Sequence, residues 1–335
     1  MKLEFEQIKN ITQGAEQIAE ENGNIKFFRF GTEEQELYLK TDFFTKTFST
    51  ANIQLEFKTD GDFLNFVINA SSATSRTYFS LDVFVNNKFA GRCKNFTQAD
   101  EKSDYTIKQF DLGEFSKRLE LGKGEKTVRI VFPWSVAIEI KSFEIENASY
   151  VIPVKKDKKM LVYGDSITNG YDALYSSGTY VSQLSEELNV EVYNKAIGGE
   201  VFFPDLAKIK NPIKPDYILV AYGTNDWGTK EKEDFYIRCE KFYENISKNY
   251  PDSLIFAITP IWRKDFSGVR KFGDFFDVEN TIKNVCKNFK NIKVISGFEL
   301  VPHDEKYFAD LRLHPNNEGF KCYFDNLIEQ FKKYI

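Results

Sequence analysis

The feature that most constrains the fold is a change in hydrophobic period near the middle of the chain. Before about residue 150, apolar and polar residues alternate in short runs, whereas after about residue 159 compact apolar runs alternate with segments of helical period. The length of 335 residues also exceeds the usual size of one domain. We therefore predict two domains, 1–152 and 153–335, joined at a short Lys-rich stretch.

The first half has the pattern of an all-β domain. Its runs are rich in Phe, Val, Ile and Tyr and are separated by Gly, Asn and Asp; they include "FLNFVINA", "YFSLDVFVNN", "KTVRIVFPW" and "AIEIKSFEIE". Strands at such regular spacing predict an antiparallel sandwich or jelly roll. A weak helical pattern adds one short helix near Gly14 to Glu21.

The second half alternates apolar strands with helical segments. The strand-like runs are "MLVYG", "VEVYNKA", "YILVAYG", "SLIFAITP" and "IKVISG", and a helical segment follows each of them. Continuous apolar strands that alternate with helices are typical of a parallel sheet covered by helices on both faces. We therefore predict an α/β domain.

Polar loops follow four of these strands. Ser166 follows the first strand, Gly199 the second and Asn225 the third, while His314 comes after the fifth and before the last helix. Ligands of open parallel sheets bind at the carboxyl ends of the strands, so we expect these four loops to converge on one edge.

The four residues have complementary chemistry. A nucleophilic serine needs a nearby base, usually histidine, and the chain has only two histidines, His303 and His314. The main-chain N–H groups of Ser166 and Gly199 and the side-chain amide of Asn225 are suitable donors to an oxyanion. Each segment alone is equally typical of a turn or a helix cap. Their combination and order favour a catalytic serine.

Other catalytic motifs are absent. Thr168 stands where the G-x-S-x-G elbow needs its second glycine, and no H-E-x-x-H, P-loop or G-x-G-x-x-G motif occurs. We therefore predict neither a metal nor a cofactor. The net charge of −5 and the lack of a basic stripe argue against a nucleic-acid partner.

The location is predicted from the start of the chain and from the cysteines. The segment "MKLEFEQIKN" carries charges throughout, and no apolar run is long enough to cross a bilayer. The four cysteines are far apart and form no CxxC pair, which indicates free buried thiols. We expect a cytoplasmic protein without a membrane partner, and the oligomeric state stays open.

At this point the sequence resembles a known family. The segments "GDSITNG", "NKAIGGE", "GTND" and "LHPN" are similar, in this order, to the consensus blocks of the SGNH (GDSL-type) hydrolases. The resemblance covers Lys159 to the C-terminus. It implies a flavodoxin-like sheet, Ser166 as nucleophile and His314 as base, with oxyanion donors from Ser166, Gly199 and Asn225. The β-rich first half resembles that of the two-domain acetyl esterases of carbohydrate esterase family two.

The acid of the triad departs from the family pattern. The family usually places an aspartate three residues before the histidine, but Leu311 stands there, and Asp310 lies four residues before His314. A loop can absorb one extra residue, so Asp310 is the leading candidate. Asp304 is a second one, and a main-chain carbonyl that orients the histidine is a third possibility.

The predicted function is that of a serine esterase acting on short-chain esters, foremost O-acetyl groups on a small-molecule or oligosaccharide substrate. Tyr171, Asp172 and Trp227 are predicted to line the substrate pocket, although ordinary loop packing would equally account for them. Two alternatives remain: a lipase or thioesterase for longer acyl chains, and a carbohydrate-binding protein with an incidental hydrolase scaffold.

Overall fold

The computed structural model describes all residues, 1–335, and contains three β-sheets. Two antiparallel sheets are built from the first half of the chain. Their strands are β1 (Thr12–Gln13), β2 (Gln17–Glu21), β3 (Asn24–Phe28), β4 (Gln54–Thr59), β5 (Phe63–Ser72), β6 (Ser80–Val85), β7 (Lys88–Lys94), β8 (Gly113–Glu120), β9 (Lys126–Val131), β10 (Val136–Glu146) and β11 (Val151–Pro153). One sheet has the order β2-β3-β10-β5-β8, and the other the order β1-β4-β9-β6-β7 with β11 also paired to β4.

These two sheets form a sandwich around one apolar core. The burial of β5 alternates residue by residue, as the period-two pattern predicts, so one face of the strand points inward. The core between the sheets consists of 25 buried residues, among them Phe57, Val83, Phe66 and Phe143. The helices of this half are short: α1 (Phe5–Ile11), α2 (Thr32–Glu36), α3 (Gln98–Glu101) and two 3₁₀ turns, Phe44–Phe48 and Tyr105–Ile107.

One element of this half was predicted wrongly. The segment Gly14 to Glu21 was expected to be helical, but Gln17–Glu21 is strand β2, which pairs with β3. The helix lies earlier, at Phe5–Ile11, where Ile8 and Ile11 share a buried face. The polar residues of Gln17–Glu21 therefore belong to an edge strand, where long-range pairing with β3 decides the conformation.

The second half is an α/β domain with a five-stranded parallel sheet, as predicted. Its strands are β12 (Lys158–Gly164), β13 (Val190–Asn194), β14 (Tyr217–Ala221), β15 (Leu254–Ile258) and β16 (Ile292–Ile295). Their order is β13-β12-β14-β15-β16, which is the flavodoxin-like order. The helices are α4 (Ser166–Asn169), α5 (Tyr180–Glu187), α6 (Pro204–Lys208), α7 (Thr224–Thr229), α8 (Lys232–Asn249), α9 (Phe276–Cys286) and α10 (Asn317–Phe331), with 3₁₀ turns at Ser176–Gly178 and Glu305–Tyr307.

Buried cations tie the sandwich to the parallel-sheet domain. The fully buried guanidinium of Arg29, from the sandwich, donates to the main-chain oxygens of Asn194 and Ala196 at 2.6 and 3.1 Å. In the opposite direction, the ammonium of Lys195 donates to Arg29 O and to Glu34 Oε2, both at 2.5 Å. The loop that follows β13 is thus held against the sandwich on both sides.

The two halves also share apolar surface. Trp134 and Tyr78 of the sandwich belong to a core cluster whose other members lie mostly in the parallel-sheet domain, and Tyr38 belongs to a second such cluster. No helix of the chain combines the length and apolar character needed to cross a membrane. The four cysteines are unpaired; three are buried, and Cys322 is only partly so.

Candidate active site

Ser166 lies at a sharp turn where the first parallel strand ends. Strand β12 stops at Gly164, and a Cβ atom there would lie 2.5 Å from Thr168 Oγ1 and 2.8 Å from the main-chain oxygen of Ala221. Glycine therefore lets the chain turn tightly into helix α4. Asp165 caps this helix, because its Oδ1 accepts the N–H of Ile167 at 3.0 Å. Ser166 is the first residue of the helix, so its N–H has no partner within it.

A chain of hydrogen bonds connects Ser166, His314 and Asp310. Ser166 Oγ lies 2.9 Å from His314 Nε2, and His314 Nδ1 lies 2.9 Å from Asp310 Oδ2. Serine and histidine come from strand-end loops 148 residues apart in the sequence. This arrangement can pass the serine proton to the imidazole while the carboxylate stabilises the resulting cation.

A left-handed turn absorbs the extra residue between the acid and the histidine. Leu311 has φ 55°, and the turn brings three successive N–H groups onto Asp310 Oδ1, those of Arg312, Leu313 and His314 at 3.0, 2.7 and 3.1 Å. The other oxygen, Oδ2, is thereby directed to the imidazole. Spacing of four residues instead of three therefore still places Asp310 against His314.

The rival candidates lie elsewhere. His303 stacks on Trp262, and its Nε2 contacts the main-chain oxygen of Phe298 at 2.9 Å. Asp304 is exposed and pairs with Lys306 on its own 3₁₀ turn. Neither residue contacts Ser166 or His314.

Two further groups are suited to stabilise an oxyanion. Gly199 is exposed, has φ 91°, and its N–H donates to no other group of the protein. Asn225 lies in the first turn of α7, and its Nδ2 donates to the main-chain oxygen of Glu200 at 2.9 Å. That bond uses one amide hydrogen and fixes the orientation of the amide, which leaves the second hydrogen for a ligand.

Asp172 does not line the pocket as predicted. Its side chain is fully buried, and its Oδ2 lies 3.3 Å from His314 Nδ1, on the side of the ring away from Ser166. Two sandwich residues also contact the carboxylate: Arg76 through Nε at 2.7 Å and Tyr78 through its hydroxyl at 3.3 Å. Asp172 is therefore a second carboxylate of the histidine and has no surface for substrate.

Trp227, which was also predicted to line the substrate pocket, does not reach a surface. Its indole is fully buried, and Nε1 donates to the main-chain oxygen of Gly273 at 3.1 Å. Arg263 and Arg270 lie over the ring at 5.1 and 4.7 Å from its centroid. The long loop after β15 covers this tryptophan, so no ligand can stack on it here.

Tyr171 packs against the site and exposes almost no surface to a ligand. Its ring is 5% exposed and packs between Trp134 and His314, with centroid distances of 5.0 and 5.8 Å. The same ring fills the space that a side chain at Gly198 would need, since a Cβ there would lie 2.5 Å from it. Tyr171 thus links the histidine to the loop that carries Gly199.

Sequence reasoning missed two sandwich residues beside that loop. Lys46 Nζ donates to the main-chain oxygen of Gly198 at 2.7 Å, and it lies over the ring of Phe43 at 4.8 Å. A Cβ built on Gly199 would lie 3.5 Å from Phe43 and 3.8 Å from Lys46 Nζ. The sandwich therefore supplies part of the surface next to Gly199, which no local motif indicates.

The electrostatics of the site agree with a histidine held by carboxylates. Burial alone would lower the pKa of His314, but Asp172 and Asp310 outweigh it and raise that pKa to about 9. Burial opposes ionisation of Asp310 as well, yet His314 and the N–H donors hold the pKa of Asp310 well below its usual value. Potential metal-ligand atoms of Asp172, Asp310 and His314 lie within 4.8 Å of one another, and both carboxylates lie within ion-pairing distance of the imidazole.

Three buried carboxyl groups lie close enough to one another to affect each other's ionisation. Burial raises the pKa of Glu200 to about 8, and it raises those of Asp165 and Asp226 to about 7. Glu200 is held between the hydroxyls of Tyr38 and Tyr222 at 2.5 and 2.6 Å. Asp226 Oδ1 accepts the N–H of Phe202 at 3.2 Å, just after the loop of Gly199, whereas Asp165 caps helix α4.

A comparison with known proteins assigns the part of the chain that contains the candidate active site to a family. The GDSL-like Lipase/Acylhydrolase family matches residues 162–322, a range that contains Ser166, Gly199, Asn225, Asp310 and His314. No curated protein sequence matches the chain significantly.

Solved structures share the fold of both halves. The salicylyl-acyltransferase SsfX3 of a tetracycline biosynthetic pathway has a TM-score of 0.79 at 17% identity, covering 96% of this chain and 94% of that one. A GDSL-like lipase from Bacteroides ovatus has a TM-score of 0.75 at 18% identity, covering 97% and 96%. A family two carbohydrate esterase from Cellvibrio japonicus has a TM-score of 0.66 at 15% identity, covering 98% and 96%. The family match over residues 162–322 identifies the chain as a carboxylic ester hydrolase with a GDSL-like lipase/acylhydrolase domain, and the solved structures show that the fold of both halves is shared.

Proposed function

We propose that this enzyme removes short acyl groups, foremost acetyl, from hydroxyls of a carbohydrate through an acyl-enzyme on Ser166. The observation that carries the proposal is the hydrogen-bonded series of Ser166, His314 and Asp310, with the exposed Gly199 on the loop after the neighbouring strand β13. A nucleophile, an oriented base and an unused N–H donor are the requirements of acyl transfer.

The reaction proceeds in two halves. His314 Nε2 takes the proton of Ser166 as Oγ attacks the ester carbonyl, and the N–H groups of Ser166 and Gly199 with the amide of Asn225 hold the oxyanion. As the bond between the carbonyl carbon and the sugar oxygen breaks, His314 gives its proton to that oxygen, which leaves as a hydroxyl while the acyl group stays on Ser166. In the second half His314 takes a proton from water, which attacks the acyl carbonyl. The carboxylic acid is released, and Ser166 Oγ takes the proton back.

The surroundings of Gly199 support a short acyl group and a polar alcohol. The half-buried ammonium of Lys46 lies at the edge of the oxyanion loop and has a neutral carbonyl as its hydrogen-bond acceptor, so two of its three N–H donors are unused. A cation at this edge disfavours a long alkyl chain and suits hydroxyl oxygens. Phe43 beside it offers an aromatic face of limited size.

The structural neighbours support carbohydrate as the alcohol. Family two carbohydrate esterases from Cellvibrio japonicus and Clostridium thermocellum share the two-domain fold, and the Clostridium protein was solved with cellohexaose. An oligosaccharide ester is accordingly the substrate class that we propose for this chain.

A second candidate is acyl transfer to an alcohol in place of water. The salicylyl-acyltransferase aligns over both halves of the chain with a TM-score of 0.79. Both reactions share the acyl-enzyme and differ only in the acceptor. An assay with and without an added sugar therefore distinguishes them: hydrolysis releases the free acid, and transfer forms an ester of the added sugar.

The test is a comparison of kcat/KM across acyl lengths. We would measure p-nitrophenyl acetate, butyrate, octanoate and palmitate, and the release of acetate from acetylated xylose and glucose. A pocket for acetyl should lose rate beyond about four carbons, because overfilling costs roughly 1–3 kcal/mol. A lipase would instead gain about 0.8 kcal/mol per buried methylene. Preference for octanoate or longer, with acetylated sugars left intact, would overturn the proposal.

A further inference from the structure

Asp172 is a buried carboxylate that the two-step reaction does not require. Its side chain is fully buried, and its backbone has φ 68°, a left-handed conformation that aspartate tolerates. Asp310 already provides the hydrogen bond to His314 Nδ1. Burying a second negative charge 3.3 Å from the same nitrogen is costly unless it is compensated, so its partners are informative.

Those partners come from the sandwich. Arg76 donates two hydrogen bonds to the carboxylate, from Nε to Oδ1 at 2.7 Å and from Nη2 to Oδ2 at 3.1 Å. The hydroxyl of Tyr78 lies 3.3 Å from Oδ1, and that of Tyr105 donates to the main-chain oxygen of Asp172 at 2.9 Å. A bidentate arginine fixes both the rotamer and the charge of a carboxylate.

We propose that Asp172 is a positioning residue for His314 and that Arg76 holds it in place, so that the N-terminal sandwich completes the active site. Asp172 and Asp310 face Nδ1 together and fix the plane of the imidazole, which directs Nε2 at Ser166. The imidazolium that forms during attack is then stabilised by two carboxylates. This inference rests on the proposed role of His314 as the base.

Few charged groups lie around the imidazole of His314, so a change in its pKa can be assigned to one of them. Asp310 faces the imidazole from its own loop, Asp172 faces it from the loop after α4, and Asp165 lies within electrostatic range below. Arg76 acts from behind Asp172, and Tyr171 packs on the ring. Removing the charge of Asp172 should therefore act on His314 directly.

The first experiment follows His314 itself. With only two histidines in the chain, the His303→Asn variant leaves one imidazole, whose titration NMR can follow. In that background, Asp172→Asn should lower the pKa of His314 by about one unit or more, since a carboxylate within about 4–6 Å favours the cation. An unchanged titration would overturn the inference whether or not the enzyme hydrolyses the tested ester. A shifted titration in a protein without esterase activity would support the contact and contradict the proposed function.

The second experiment measures catalysis. A single orienting aspartate is worth about 10⁴ in kcat, and Asp310 remains in Asp172→Asn, so we expect a loss of about 10- to 100-fold in the pH-independent kcat, measured above the pKa of His314, with little change in KM. The acidic limb of the kcat/KM profile should move to lower pH together with the NMR titration. A kcat and pH profile equal to those of the parent would contradict the positioning role.

The third experiment tests the arginine with a matched control. The pair of Arg92 and Asp82 has the same exposure as that of Arg76 and Asp172, with 20% for the arginine and 0% for the carboxylate, but Asp82 contacts Ser177 and not His314. Arg76→Gln and Arg92→Gln should both lower stability, and only Arg76→Gln should lower kcat. In the Asp172→Asn background the effect of Arg76→Gln on kcat should largely vanish. Equal losses of kcat from both arginine variants would assign Arg76 a merely structural role.

Discussion

The carboxylate of Asp310 contacts His314 twice: Oδ2 lies 2.9 Å from the ring Nδ1, and Oδ1 accepts the main-chain N–H of the same residue at 3.1 Å. One side chain therefore fixes both the backbone and the ring of the histidine. The left-handed Leu311 between them makes this geometry possible at a spacing of four residues.

Replacing Leu311 with glycine should not destabilise the protein. A left-handed conformation costs a non-glycine residue about 1–2 kcal/mol, and the side chain is 58% exposed, so little packing is lost. We expect the free energy of unfolding in urea to stay unchanged or to rise by up to about 1 kcal/mol. Leu39 is a matched control, because it is 57% exposed and lies outside the left-handed region. Leu39→Gly should lower the free energy of unfolding, because glycine loses more conformational freedom on folding than leucine. Equal losses from both variants would refute the role of the turn.

Removing the amide of Asn225 should impair the chemical step. Loss of one oxyanion donor costs about 10²–10³ in kcat, and KM should change little. Asn245→Ala is the control, since that half-buried amide makes a comparable bond to the main-chain oxygen of Pro204 at 3.0 Å, far from Ser166. An Asn225→Ala enzyme that is no slower than Asn245→Ala would exclude the amide from the oxyanion site.

Replacing His314 and replacing His303 should have very different effects on kcat. His314→Ala should lower kcat by several orders of magnitude, as loss of the serine does, because base and nucleophile act as a unit. His303→Ala should keep kcat near that of the parent, since this ring contacts Trp262 and Phe298 and not Ser166. Steady-state kinetics on p-nitrophenyl acetate decide between them, and the reverse ranking would exclude His314 as the base.

Glu200 should make stability depend on pH. Burial raises its pKa to about 8 in the folded protein, while the unfolded chain loses this proton near 4.5. Between these values the folded state holds more protons, so the free energy of unfolding should fall as pH rises from about 5 to 8. Glu200→Gln removes this contribution, and the decline measured by urea unfolding across that range should become shallower. A slope equal to that of the parent would show that Glu200 is ionised in the folded protein.

The sequence predicts well which loops lie at the carboxyl edge of the parallel sheet, because that information is local. Each parallel strand ends where its apolar run ends, and the sheet then brings the loops of Ser166, Gly199, Asn225 and His314 to one edge. The extra residue before His314 is visible as spacing, although its accommodation at Leu311 depends on the φ angle that the folded loop adopts.

The errors concern contacts between distant segments. Trp227 is covered by a loop that begins more than thirty residues later, and no pattern around the tryptophan indicates this. Asp172 is turned inward by Arg76, 96 residues earlier in the chain and in the other half. An isolated arginine between two strands carries no periodic signal, so the contribution of the sandwich to the site becomes evident only in the folded structure.

The central claim is that Ser166 carries the acyl group, and trapping the intermediate tests it most directly. The enzyme would be acid-quenched during turnover of p-nitrophenyl acetate, digested, and its peptides analysed by mass spectrometry, with Ser166→Ala treated in parallel. We predict an acetyl group on the peptide that contains Ser166, and neither this adduct nor comparable turnover in Ser166→Ala. An acetyl group on another residue, or a Ser166→Ala enzyme that hydrolyses the ester at the rate of the parent, would contradict the account.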